Sequence, residues 1–174
     1  MMKPVLTVVV AVLAVVFALT QPVTAADQFG ARLRGLEEVP SVSTPGQGFF
    51  LGTMNAAGTA MDYSLFYFDT RDIVTQAHIH IAQTGVNGGI VLFFCSNLAP
   101  PAAPVPPPPP CPNGPGANSV TGTLTAANVI TQAGQGIAAG QFAEVIRAIR
   151  AGNSYANVHT ILFPGGEIRG QVTE

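Results

Sequence analysis

Charge is scarce in this 174-residue chain: seven basic and nine acidic residues make up 9% of it. The only lysine is Lys3, and six scattered arginines form no continuous basic run. Without a basic stripe there is no electrostatic footprint for a phosphate backbone, which argues against a nucleic-acid partner. Cysteine is limited to Cys95 and Cys111, and histidine to His78, His80 and His159. Long apolar runs are equally rare, and Val5 to Leu19, interrupted at Thr7, is the one long stretch.

That run is shorter than the ~20 residues that span a bilayer. It follows Lys3 and precedes "TQPVTAAD", which is the charged, apolar and small-residue order of a secretory signal peptide. Residues 1–25 are therefore expected to be cleaved, near Ala25 or Ala26. Residues 26–174 would then form one domain without a membrane span, secreted or periplasmic, with six arginines against nine carboxylates. Export places Cys95 and Cys111 where disulfides persist. They bracket a proline-rich loop at about 96–118, and a bridge would staple its base.

What is abundant is strand-like. Segments such as "QFGARLRG", "TAMDYSLFYFD", "TQAHIHIA", "GGIVLFF", "SVTGTLT" and "GEIRGQV" are β-rich and separated by glycine turns. They predict an all-β fold, a mostly antiparallel sandwich or Greek-key-like barrel. In "MDYSLFYF" the second alternating set turns apolar at its end, as in a strand covered on both faces. One segment departs from this pattern: Phe142, Val145, Ile146 and Ile149 recur at helical spacing before Gly152, predicting a short covering α-helix. "TAANVITQAG" suggests a further helical turn.

Two stretches echo each other. "AHIHIAQTGVNGGIV" and "ANVHTILFPGGEI" both read Ala, polar, aliphatic, His, loop, Gly-Gly, then an aliphatic strand. His80 thus corresponds to His159, and His78 to Asn157. Both read as hairpins, with the i and i+2 side chains on one face. If the hairpins are neighbours, all three histidines can converge. Neutral imidazoles bind zinc and copper, and three protein ligands plus water is the usual open zinc arrangement. The competing reading has the histidines hold hairpin backbone, such as the carbonyls of "TGVNGG" and "FPGG", without metal.

Four motifs in order, "GARLRGLEEVPSVSTPGQG", "AHIHIAQTGVNGGIV", "VTGTLT" and "AGNSYANVHTILFPGGEIRGQV", resemble the CHRD domain, named for the secreted protein chordin. The resemblance runs from about Phe29 to Val172 and implies an extracellular, predominantly β domain. Glu167 and Arg169 share a strand face in "GGEIRGQV" and are expected to form a structural polar cluster with Asn157. Arg34, Glu37 and Glu38 would join Arg169 if the first and last strands are close, and a solvated, charge-guarded edge strand is the alternative.

No catalytic constellation is recognisable: there is no G-x-S-x-G elbow, and the cysteines are assigned to the bridge. Copper-zinc superoxide dismutases also carry an H-x-H strand on an exported β-sandwich, but their dinuclear centre needs more than three histidines. The expected function is a non-catalytic binding module for an extracellular protein or glycan. A mononuclear Cu or Zn protein using His78, His80 and His159, open to redox or hydrolytic chemistry, is the alternative. A structural surface or matrix component comes third.

Overall fold

The computed structural model describes residues 27–99, 105–114 and 116–174. The expected signal segment and its cleavage site lie outside the described residues. Eight strands form one antiparallel sheet in the order β5-β4-β7-β8-β1-β2-β3-β6. They are β1 (Gln28–Arg34), β2 (Gln47–Met54), β3 (Ala60–Phe68), β4 (Val74–Ile81), β5 (Gly89–Ser96), β6 (Asn118–Thr125), β7 (Ser154–Thr160) and β8 (Ile168–Gln171). The edge strands β5 and β6 approach each other, so the sheet curls into a nearly closed barrel rather than splitting into two sandwich layers. Among the described residues no helix is long and apolar enough to cross a membrane.

Period-two patterning fills the barrel. Met61, Tyr63, Leu65 and Tyr67 of β3 point inward, as do Leu33 of β1 and Phe50 of β2. Ala77, Ile79 and Ile81 of β4 join the same core. The Tyr63 hydroxyl crosses the interior to donate to the Phe94 carbonyl at 2.7 Å. Helix α1 (Phe142–Arg150) adds the expected stripe of Phe142, Val145, Ile146 and Ile149 to the core. Gly152, at φ 69°, stops it in the left-handed conformation that glycine adopts without strain. "TAANVITQAG" supplies two short 3₁₀ turns, Ala126–Asn128 and Ala133–Gln135.

One face reads differently from the sequence. β3 is not covered on its outer side: Phe66 is 43% exposed and lies opposite Phe49, itself 42% exposed. Phe49 also stacks on Phe68 across the strands at 6.5 Å, so these rings shield one another on an open surface.

The cysteines form the expected disulfide. Beyond it, Val105 and Pro108 are partly buried and Cys111 is buried, while Pro106, Pro107, Pro109 and Pro110 are exposed. That repeat of three is the period of a polyproline II helix laid on a surface. The strap covers the seam between β5 and β6 above a cavity of about 230 Å³ lined by Tyr63, Phe93 and Thr121 among others. Ser96 N donates to the Pro109 carbonyl, and Asn97 bonds both ways with the Cys111 backbone, fixing the strap to the β5 edge.

Candidate metal centre

The two echoing hairpins are neighbours. β4–β5 is the first and β7–β8 the second, and they join through an antiparallel β4–β7 pairing. In that pairing His78 lies opposite Asn157, the residue at its own place in the repeat. The pseudo-two-fold axis relating the hairpins therefore passes through the His78–Asn157 pair. His80 is opposite Tyr155 and His159 is opposite Gln76, so these two histidines do not face each other directly. They lie on a diagonal with His78 between them, its ring centroid 4.8 Å from His80 and 4.5 Å from His159.

Because Ala77 and Ile79 take the barrel side, His78 and His80 point to the outside of the wall. They are nevertheless buried, as are Asn157 and His159. The cover comes from the hairpin loops. Arg169 donates to the Asn87 side chain at 2.9 Å and to the Val86 carbonyl at 2.7 Å, holding the first loop down. Asn87 in turn donates to the Val39 carbonyl. Register shifts in the β4–β5 pairing flank His78 and set Phe93 opposite it, edge-on at 4.9 Å.

Each imidazole uses its Nδ1 edge on an oxygen. His80 Nδ1 donates to the Gly88 carbonyl at 2.8 Å and His159 Nδ1 to the Pro164 carbonyl at 2.9 Å. These are the "TGVNGG" and "FPGG" contacts anticipated for a structural role. His78 Nδ1 faces Asn157 Oδ1 at 3.0 Å and the free Nε2 of His80 at 2.9 Å, two acceptors that share its hydrogen. The Nε2 atoms of His78 and His159 are buried without a partner. Orphaned buried acceptors cost about 1–3 kcal/mol each, so the structural role leaves part of the cluster unexplained.

One ring nitrogen from each histidine lies within 4.8 Å of the others. Two bonds of about 2.1 Å to one ion allow ligand nitrogens at most about 4.2 Å apart, so ligation requires the rings to draw closer together than they stand. The donors fit a metal: three neutral imidazoles, each oriented by an oxygen at its other nitrogen, as ligating histidines usually are. Burial lowers the proton affinity of all three. His78 is held well below the ordinary 6.5 by burial and then by its two neighbours, His80 is brought to about 4 mainly by burial, and His159 is also lowered.

The expected polar cluster divides. Arg34 and Arg169 pair across β1 and β8, so the first and last strands do adjoin. Yet Arg34 and Glu37 are exposed, whereas Glu38 and Arg169 are buried. Glu167 and Arg169 do not pair with each other: Glu167 accepts from Thr44 Oγ1, Arg71 N and Thr160 Oγ1. Nor is their strand a solvated edge, since β8 lies between β7 and β1 under the loops. Arg169 instead stacks on Tyr155, its Cζ 3.4 Å from the ring centre, and Tyr155 stacks on His80 at 4.6 Å and 3°. Period two placed Tyr155 on this face, and Arg169 lies opposite Asn157, with which it was expected to cluster, but Phe93 as a neighbour of His78 left no local signal.

The family model for the CHRD domain matches residues 29–172. The chain belongs to the CHRD domain family. The match takes in both hairpins, the strap and the helix, so the histidine cluster sits within the CHRD domain itself. No curated protein and no solved structure shows a significant match to the chain.

Opposed pH effects follow in the metal-free domain. Burial pushes the Glu38 carboxyl up to about 7, with Arg169 pulling partly back. From pH 4.5 to 7 only the unfolded chain ionises that group, so its contribution to stability is lost as pH rises. The histidines act the other way: as pH falls below 6.5 the unfolded chain takes up protons that the folded cluster refuses, so stability is lost toward acid. Three groups outweigh one, and thermal unfolding is expected to show stability rising between pH 4.5 and 6.5. Glu38→Gln removes the opposing slope, so the rise should steepen in that variant; a shallower rise would contradict the assignment.

Proposed function

We propose that this CHRD domain is a non-catalytic, extracytoplasmic binding module, and that its built site takes one Cu or Zn ion on His78, His80 and His159. The observation that carries the reading is the division of labour within the rings. All three Nδ1 edges are committed to oxygens, while two Nε2 atoms are buried and unpartnered beside a third. Ligation through Nε2 would satisfy the orphans of His78 and His159 and keep each Nδ1–oxygen bond, giving up only the contact between His78 Nδ1 and His80 Nε2. The disulfide and the family membership support a location outside the cytoplasm. Bound metal would lock the two hairpins together across the β4–β7 joint, which suits a module that presents loops to a partner protein or glycan.

The test is metal content. Stripped protein loaded with Cu or Zn and desalted is expected to retain one equivalent, and His80→Ala or His159→Ala to lose at least ~100-fold in affinity. Unfolding curves of the metal-free variants establish that they fold. Wild-type protein that retains no stoichiometric metal would sink the metal reading and leave a module whose histidines are hairpin scaffold.

A further inference from the structure

Resting on that reading, we infer that the site selects a monovalent, three-coordinate ion, Cu(I), over the dications Zn(II) and Cu(II). Three independent features point the same way.

The first is ligand charge. The cluster holds histidines alone, with no carboxylate or thiolate among the described residues. Of the buried carboxyls, Glu167, just before β8, is already occupied by three donors, and Glu38 faces Arg169. An ion in this cluster therefore keeps its full charge. The cost of taking a charge out of water grows with its square, so a dication costs about four times as much as a monocation of the same size.

The second is the field from behind. The Arg169 guanidinium lies over Tyr155, which lies parallel on His80. Arg169 is 2% exposed, and water screens a buried charge poorly. Its repulsion doubles for a dication, again favouring the lower charge.

The third is coordination number. Zinc in a three-histidine site completes its shell with water. Here the Nε2 atoms of His78 and His159 are closed to solvent, and Phe93 stands edge-on against His78. Bulk water therefore does not reach either nitrogen to serve as a fourth ligand. Imidazole suits copper, and Cu(I) is satisfied by three such ligands without that addition.

Intact wild-type protein tests this without substitutions. Under anaerobic conditions, competition with bicinchoninate measures Cu(I) affinity, and competition with 4-(2-pyridylazo)resorcinol measures Zn(II) affinity. Cu(I) is expected to bind at 1:1 and at least ~100-fold more tightly than Zn(II). X-ray absorption should show three nitrogen ligands on the bound copper and no fourth light atom. Zinc binding equal to or tighter than Cu(I), or a four-coordinate ion, would overturn the selectivity while leaving a metal site in place. Failure of both ions to bind would remove the site itself, so the two claims fail separately.

Discussion

Replacing Arg169 by alanine is expected to destabilise the fold by about 4 kcal/mol, read as a lower urea midpoint at unchanged slope. The side chain is 2% exposed and among the largest fully buried ones. It performs three tasks together. It donates to Asn87 and to the Val86 carbonyl, covers the Tyr155 ring, and is the cation that favours ionisation of buried Glu38. Alanine leaves two acceptors, a carboxyl and a cavity with nothing in their place, and each loss is costly in a buried setting. Arg169→Lys should recover less than half of the loss, because an ammonium cannot stack flat on a ring while bridging two oxygens. If Arg169→Ala unfolds within about 1 kcal/mol of wild type, the latch assigned to this residue is wrong.

The second large effect is expected at Glu167, where alanine should cost about 3 kcal/mol. This carboxylate is completely buried, and among the described residues it makes no ion pair. Three donors hold it instead: Thr44 before β2, the Arg71 backbone before β4, and Thr160 at the end of β7. One side chain thus ties three connections to the start of β8. Hydrogen bonds to a charged acceptor contribute about 1.5–3 kcal/mol each, and the two hydroxyls can turn to other partners whereas the Arg71 amide cannot. Glu167→Gln should fall between wild type and alanine, since its amide nitrogen turns a donor toward donors. A Gln variant less stable than the Ala variant would refute this account of the site.

Part of this molecule is written in local patterns. Alternation marks the strands, the spacing of Phe142, Val145, Ile146 and Ile149 marks α1, and the echo of "AHIHIA" in "ANVHTI" marks two related hairpins. All three depend on side chains one to four positions apart, and such patterns survive without knowledge of the fold. The cysteine pair belongs here too, because the export expected from residues 1–25 and the short loop between the cysteines make a bridge the natural expectation.

Other features depend on which elements meet. Nothing local separates exposed Phe66 on β3 from buried His80 on β4, because burial of an outward face depends on what folds over it. Two loops and the 37–44 segment cover β4, β7 and β8, whereas among the described residues nothing covers the outer face of β2 and β3. The same cover changes "GEIRGQV" from a charged edge into a buried strand whose glutamate and arginine serve different partners. For the histidines, sequence alone established three imidazoles on strand faces that could meet if two hairpins adjoined. The β4–β7 register decided that they do, and placed His78 on the pseudo-two-fold axis between His80 and His159. It also turned each Nδ1 to an oxygen and left the Nε2 atoms of His78 and His159 buried without a partner. Hydrogen-bond direction is set by backbone carbonyls from loops distant in space, and that is information only the tertiary structure carries.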